Sequence, residues 1–193
     1  MAAEPSQLYV VFFPLMSPGH TIPILDMVRL FEAIHVKTTI ITTPLNAPSF
    51  AESLSGTDAA VEIFAYPSNE AGLPQGIENL EDCTSPEMTR NFMMGALLLQ
   101  RPLEEFLEKT RPDCLIADAF FPFASESAAK FGVTMLVFHG TSFFALCATG
   151  ILFEHRPYMS VSSDDEYFFI PNLPHLIRLT RLQLPPEMRE NKD

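Results

Sequence analysis

Residues 8–15 read LYVVFFPL, an unbroken apolar run, and the turn S-P-G-H-T-I-P follows at once. A stretch that is apolar at successive positions suits a strand covered on both faces, as in a parallel sheet wrapped by helices. Parallel strands cannot be joined by hairpins, so each needs a crossover, and the crossovers run right-handed. The rest of the chain supplies that alternation. Residues 22–34 carry Ile24, Leu25, Val28, Leu30 and Phe31 at near-helical spacing. Residues 36–43 (VKTTIITT) are rich in β-branched side chains and predict a second strand. A Pro44–Pro48 break, a short helix near 49–55 and a third strand over 61–66 come next. The segment 67–80 holds Pro67, Gly72, Pro74 and Gly76 and reads as a loop.

Ser85-Pro86-Glu87 is a helix start: a capping serine, proline at the first helical position and an acid for the dipole. The helix body covers 88–100, is kinked or restarted at Arg101-Pro102, and continues over 103–110. Residues 113–118 (DCLIAD) predict a fourth strand that ends on an acid. A helix over 123–131 is closed by Gly132. A fifth strand spans 133–138, and a helix spans 143–154. Five strands with helices between them predict an α/β, doubly wound, Rossmann-like parallel sheet. The common order 3-2-1-4-5 places strands one and four side by side. The domain is expected to occupy 1–154. Prolines 157, 171, 174, 185 and 186 punctuate 155–193, which reads as an active-site loop and an exit segment, and the end at Arg189-Glu190-Asn191-Lys192-Asp193 looks like a cut.

Composition removes several function classes. The formal net charge of −12 disfavours nucleic acid and anionic membrane surfaces, both of which want a basic stripe. The apolar runs are too short to cross a bilayer. The start, Met1-Ala2-Ala3-Glu4-Pro5, lacks the basic region of a secretory signal. Three cysteines, odd in number and without C-x-x-C spacing, argue against a disulfide framework or a zinc site. Cys114 and Cys147 fall in apolar elements and read as buried, and a reducing cytoplasmic setting is expected.

In open α/β sheets ligands bind over the carboxyl ends of the strands. His20 stands at that edge after strand one, and Asp118 ends strand four. A lone histidine among apolar residues is ordinarily a packing residue, and a strand-final aspartate is ordinarily a cap. Two such tips on neighbouring strands make a candidate catalytic pair. The carboxylate fixes the tautomer of the ring, and the other nitrogen is free to take a proton from a substrate hydroxyl. His139-Gly140-Thr141-Ser142 closes strand five at the same edge. Phe120, Phe121, Phe123, Phe143 and Phe144 stand near the tips and could line an apolar pocket. There is no G-x-G-x-x-G after strand one, no P-loop and no G-x-S-x-G elbow.

FFPLMSPGHTIPILDMVRLF, RPDCLIADAFFPFASESAAKFGV, VFHGTSFFALCA and PNLPHLIRLTRLQLPP, in that order, resemble the N-terminal, acceptor-binding half of plant family 1 UDP-dependent glycosyltransferases of the secondary-product type. The resemblance implies a GT-B fold, two Rossmann-like domains around a cleft, of which this chain would be the first. It implies His20 as general base, after Gly19 in a P-G-H-x-x-P turn, with Asp118 as its orienting partner. A sugar would pass with inversion from a UDP-sugar to a hydroxyl of a small hydrophobic metabolite such as a triterpenoid or flavonoid. Gly140 or Thr141 matches a position near the donor sugar, and Phe121 and Phe143 would border the acceptor. No metal and no cofactor are expected beyond the UDP-sugar co-substrate. The Trp-containing donor box of the family has no counterpart here, since the chain holds no Trp. The chain is therefore expected to be truncated and inactive alone, or to serve as an acceptor-binding module associated with full-length relatives.

Overall fold

A computed structural model describes residues 7–185, 188 and 189. The stretches 1–6 and 190–193, with Pro186 and Glu187, lie outside the described residues, and so do the expectations placed on them. The described chain divides into two compact units, Met1–Gly140 and Thr141–Asp193.

The first unit is a five-stranded sheet in the order β3-β2-β1-β4-β5. Its strands are β1 (Tyr9–Phe13), β2 (Lys37–Thr42), β3 (Ala60–Ile63), β4 (Cys114–Asp118) and β5 (Thr134–Phe138). Every pairing is parallel. The helices are α1 (Pro18–Ala33), α2 (Ala47–Ser53), α3 (Pro86–Leu97), α4 (Gln100–Thr110) and α5 (Ala124–Lys130). The order is the one the alternation predicts, with β1 and β4 adjacent. Val10, Val11, Phe12 and Phe13 are all buried, as are Leu115, Ile116 and Ala117 on β4, so the middle of the sheet is covered on both faces. Phe92, Leu103 and Leu107 pack into the same core from α3 and α4.

Local chemistry sets the element ends. Ser85 accepts from the Met88 N–H and opens α3 with Pro86 at its first position, as a serine cap should. The break between α3 and α4 falls at Leu98 and Leu99, ahead of Arg101-Pro102. The helix α4 leaves through Arg111 in the left-handed region (φ 47). Near the middle of α4, Glu104 bonds Lys130 at 2.5 Å and the buried Ser127 at 3.2 Å, tying it to α5. These bonds hold the Glu104 carboxyl below its ordinary value, the Lys130 bond first among them.

Several expectations change. The first helix starts at Pro18, not Ile22, because extended Ser17 and Pro18 form a helix entry. The first compact unit ends at Gly140. The helix α6 (Phe143–His155) contributes Ala148 and Leu152 to a core of its own with Tyr158, Val161, Phe168, Ile170, Leu184 and Met188. That core also supports the antiparallel pair β6 (Phe168–Phe169) and β7 (Arg178–Leu179). Residues 155–185 therefore carry structure: Arg181 is bonded to the carbonyls of Tyr158 and Val161 and to Asp164. Cys147 is exposed and Cys114 half-buried, so neither is the fully buried thiol expected.

Leu107 is fully buried and Leu30, on α1, is 67% exposed. Leu107→Ala should cost about 3 kcal/mol of unfolding free energy in urea titrations. Leu30→Ala should cost less than about 0.5 kcal/mol.

Candidate active site

The site is built where β1 and β4 end side by side. Their register pairs Phe13 with Ala117, so Asp118 stands one residue beyond the last β1 position. After β1 the chain turns through Pro14, Leu15 and Met16 into extended Ser17 and α1. The Ser17 carbonyl accepts from the N–H groups of His20 and Thr21, both at 2.9 Å. This places the imidazole on the first turn of α1, above the sheet edge. Pro23 lies inside α1; it has no N–H to give the Gly19 carbonyl four residues back.

His20 Nδ1 lies 2.6 Å from Asp118 Oδ2. The Asp118 side chain is wholly buried and that of His20 is 19% exposed. A buried carboxylate is tolerable when its oxygens receive hydrogen bonds, and these do. Oδ1 accepts from the Phe120 N–H at 3.1 Å, and Oδ2 has the Leu15 N–H at 3.5 Å as a second, longer donor. An acceptor-only carboxylate so placed requires a proton on Nδ1. Nε2 is then the nitrogen left for external chemistry. The ring is flanked edge-on by Phe120 at 5.5 Å and Phe138 at 6.4 Å between centroids. Phe138 is the β5 residue paired with Asp118.

The remaining expected residues divide. Gly19 belongs to the first turn of α1. Gly140 stands against the His20 ring, which a Cβ at that position would approach to 3.2 Å. Thr141 and Phe143 belong to the second unit. There Ser142 caps α6 by accepting from the Ala145 N–H, and Phe143 is 87% exposed. Phe121 is buried and stacks on Phe13 at 4.0 Å. The apolar cavity it lines, with Leu15, Phe64, Tyr66 and Phe92, measures about 10 Å³, room for no more than one water. Burial pushes the Tyr66 hydroxyl above its ordinary value, and it donates to the Phe92 carbonyl.

Phe120, which the sequence groups with Phe121 and Phe123 as possible pocket lining, parts from the buried Phe121. It is half-exposed, and its N–H closes an Asx turn on Asp118. That turn was the available signal, since a strand-final aspartate takes the N–H two residues on. Among the described residues no cluster of three His, Cys, Asp or Glu could hold a metal ion. No helix among them is long and apolar enough to cross a membrane.

The arrangement can do one thing well. A pinned, partly exposed imidazole with one free nitrogen can accept a proton from a hydroxyl and stabilise the resulting charge on a buried carboxylate.

Comparison with known proteins finds curated relatives and solved structures along almost the whole chain. The chain is 47% identical over 193 residues to UDP-glucosyl transferase 73M2 of Saponaria officinalis, covering 97% of this chain and 39% of that protein. It is 44% identical to scopoletin glucosyltransferase of Nicotiana tabacum, over 97% of this chain and 40% of that protein. Among solved structures, Glycyrrhiza uralensis UGT73P12 complexed with glycyrrhetinic acid 3-O-monoglucuronide superposes with a TM-score of 0.82 at 34% identity. That match covers 95% of this chain and 38% of the other. The chain thus spans about two fifths of the length of the relatives it matches. No family model matches it.

Adjacent phenylalanines should separate in a stability assay. Phe121→Ala should lower unfolding free energy by about 3–5 kcal/mol. Phe120→Ala should lower it by less than about 1 kcal/mol. Urea titrations of both variants check this.

Proposed function

We propose, from the premise that this chain belongs to the plant family 1 UDP-dependent glycosyltransferases and corresponds to their N-terminal, Rossmann-like half, that it is the acceptor-binding and base-bearing part of an inverting glycosyltransferase. One observation carries the reading: a buried aspartate 2.6 Å from a histidine at the carboxyl edge of a parallel sheet.

Nε2 of His20 takes the proton of an acceptor hydroxyl. The oxygen attacks the anomeric carbon of a UDP-sugar from the face opposite the leaving group. The new glycosidic bond forms as the bond to UDP breaks, UDP departs with the electron pair, and the configuration inverts. Asp118 keeps the ring in the Nδ1–H tautomer and offsets the imidazolium charge.

The acceptor is a small hydrophobic hydroxylated metabolite, triterpenoid or phenolic. The support is the likeness to an enzyme named for scopoletin and to one seen with a glycyrrhetinic acid glucuronide. Phe120, exposed beside the base, is the ring of the Phe120–Phe121 pair that we place against the acceptor. Gly140 or Thr141 stands near the donor sugar and Phe143 borders the acceptor, as the family resemblance has it. We place the activity in the cytoplasm, where the three free thiols stay reduced.

Binding of the UDP-sugar needs more than this chain. Positioning two reactants is worth up to about 7–11 kcal/mol of the barrier, and a base without a donor clamp forgoes that contribution. The 193-residue chain alone should give no product with UDP-glucose and a panel of triterpenoid and phenolic acceptors. It would then act, if at all, through association with a full-length relative.

Joined to the C-terminal half of a relative such as the Saponaria enzyme, the chain should glycosylate one or more of those acceptors. His20→Ala in that chimera should lower kcat/KM by about 10²–10⁴-fold. Mass-spectrometric product assays decide it. An unchanged rate in His20→Ala would refute the base assignment.

A further inference from the structure

Gly140 lies two residues past the end of β5, within the first unit. Its backbone does not call for glycine. The glycines held at positive φ are Gly56, Gly72, Gly76 and Gly132, and Gly140 is not among them. What calls for glycine is space. A Cβ on Gly140 would lie 3.2 Å from Cε1 and 3.4 Å from Nδ1 of His20, and 3.5 Å from the Gly19 carbonyl oxygen. Carbon atoms rest at roughly 3.5–4.0 Å from one another, so a methyl here would press on the imidazole.

The imidazole has little room to yield. Asp118 holds Nδ1 at 2.6 Å, and the carboxylate is itself fixed by the Phe120 N–H. Phe120 and Phe138 stand edge-on to the ring. A displaced ring would have to turn about its side-chain torsions or lengthen the bond to Asp118. Either movement changes where Nε2 points.

We infer that Gly140 is a positioning residue, whose missing side chain lets the His20 ring seat on Asp118 with Nε2 turned outward. The inference rests on His20 being the base, but it concerns the ring's seat rather than turnover. It gives the His139-Gly140-Thr141 turn a role at the proton-transfer atom, distinct from any contact with the donor sugar. Apart from its chain neighbours, of which His20 is one, a Cβ at Gly19 meets nothing within 4 Å.

The test is NMR on the isotopically labelled 193-residue chain. The wild type should show a nuclear Overhauser effect between Gly140 Hα and His20 Hε1, together with a low-field Nδ1 proton on His20. Gly140→Ala should keep the dispersed amide spectrum of a folded chain but lose that low-field proton to solvent exchange or shift it upfield. Gly150→Ala, where an added Cβ also meets nothing within 4 Å, should leave the signal in place. An unshifted Nδ1 proton in folded Gly140→Ala would overturn the inference. So would the absence of the Overhauser effect in the wild type, which decides the matter even if the variant fails to fold. Neither readout uses turnover, so a failure here is separate from a failure of the glycosyl-transfer reading.

Discussion

The hydrogen bond from His20 Nδ1 to Asp118 Oδ2 is the constraint on which the site depends. It joins side chains 98 positions apart in the chain, and only the adjacency of β1 and β4 makes it possible. That adjacency follows from the doubly wound order. Strand one sits at the centre, the chain runs outward through β2 and β3, and it then crosses back to place β4 on the other side. Two strand tips and two loops meet at that reversal, the place where open α/β sheets take ligands. The carboxylate tolerates complete burial because the loops present N–H groups to it from Leu15 and Phe120. Ring, acid and loop backbone thus define one another.

The surroundings give this pair its direction. Phe13, buried at the end of β1, stacks on Phe121, which turns the neighbouring Phe120 outward beside the imidazole. One phenylalanine closes the core and the next borders the site. Glycine at position 140 leaves the ring its seat from the β5 side. A histidine–aspartate pair built on a strand tip and a first helical turn is held by rigid elements, and such sites keep their geometry better than sites on loops. The second unit has its own core around Leu152, Tyr158 and Phe168.

Much of this was legible in the sequence, for reasons that can be named. Strands buried on both faces leave continuous apolar runs, so β1 and β4 were visible, as was the acid at the tip of β4. The crossover rule then made His20 and Asp118 neighbours without any contact being seen. Other features left weaker marks. Strands β6 and β7 have two residues each, too few for any periodicity, so a small folded core read as an irregular tail. Two adjacent phenylalanines carry no pattern that says which one faces the core; the Asx turn on Asp118 decides it. The extra helical turn at the start of α1 was hidden by reading Ser17-Pro18 as a loop rather than as a helix entry. The space demanded at Gly140 is a relation between two distant backbones and has no local signature.

The central claim is that Asp118 fixes the histidine as the Nδ1–H tautomer with Nε2 free. Histidine-selective 15N–1H correlation spectra above neutral pH measure this directly. The account predicts that His20 shows a protonated Nδ1 and an unprotonated, pyridine-like Nε2. A ring protonated on Nε2, or one exchanging between both tautomers like a histidine free in solution, would contradict it.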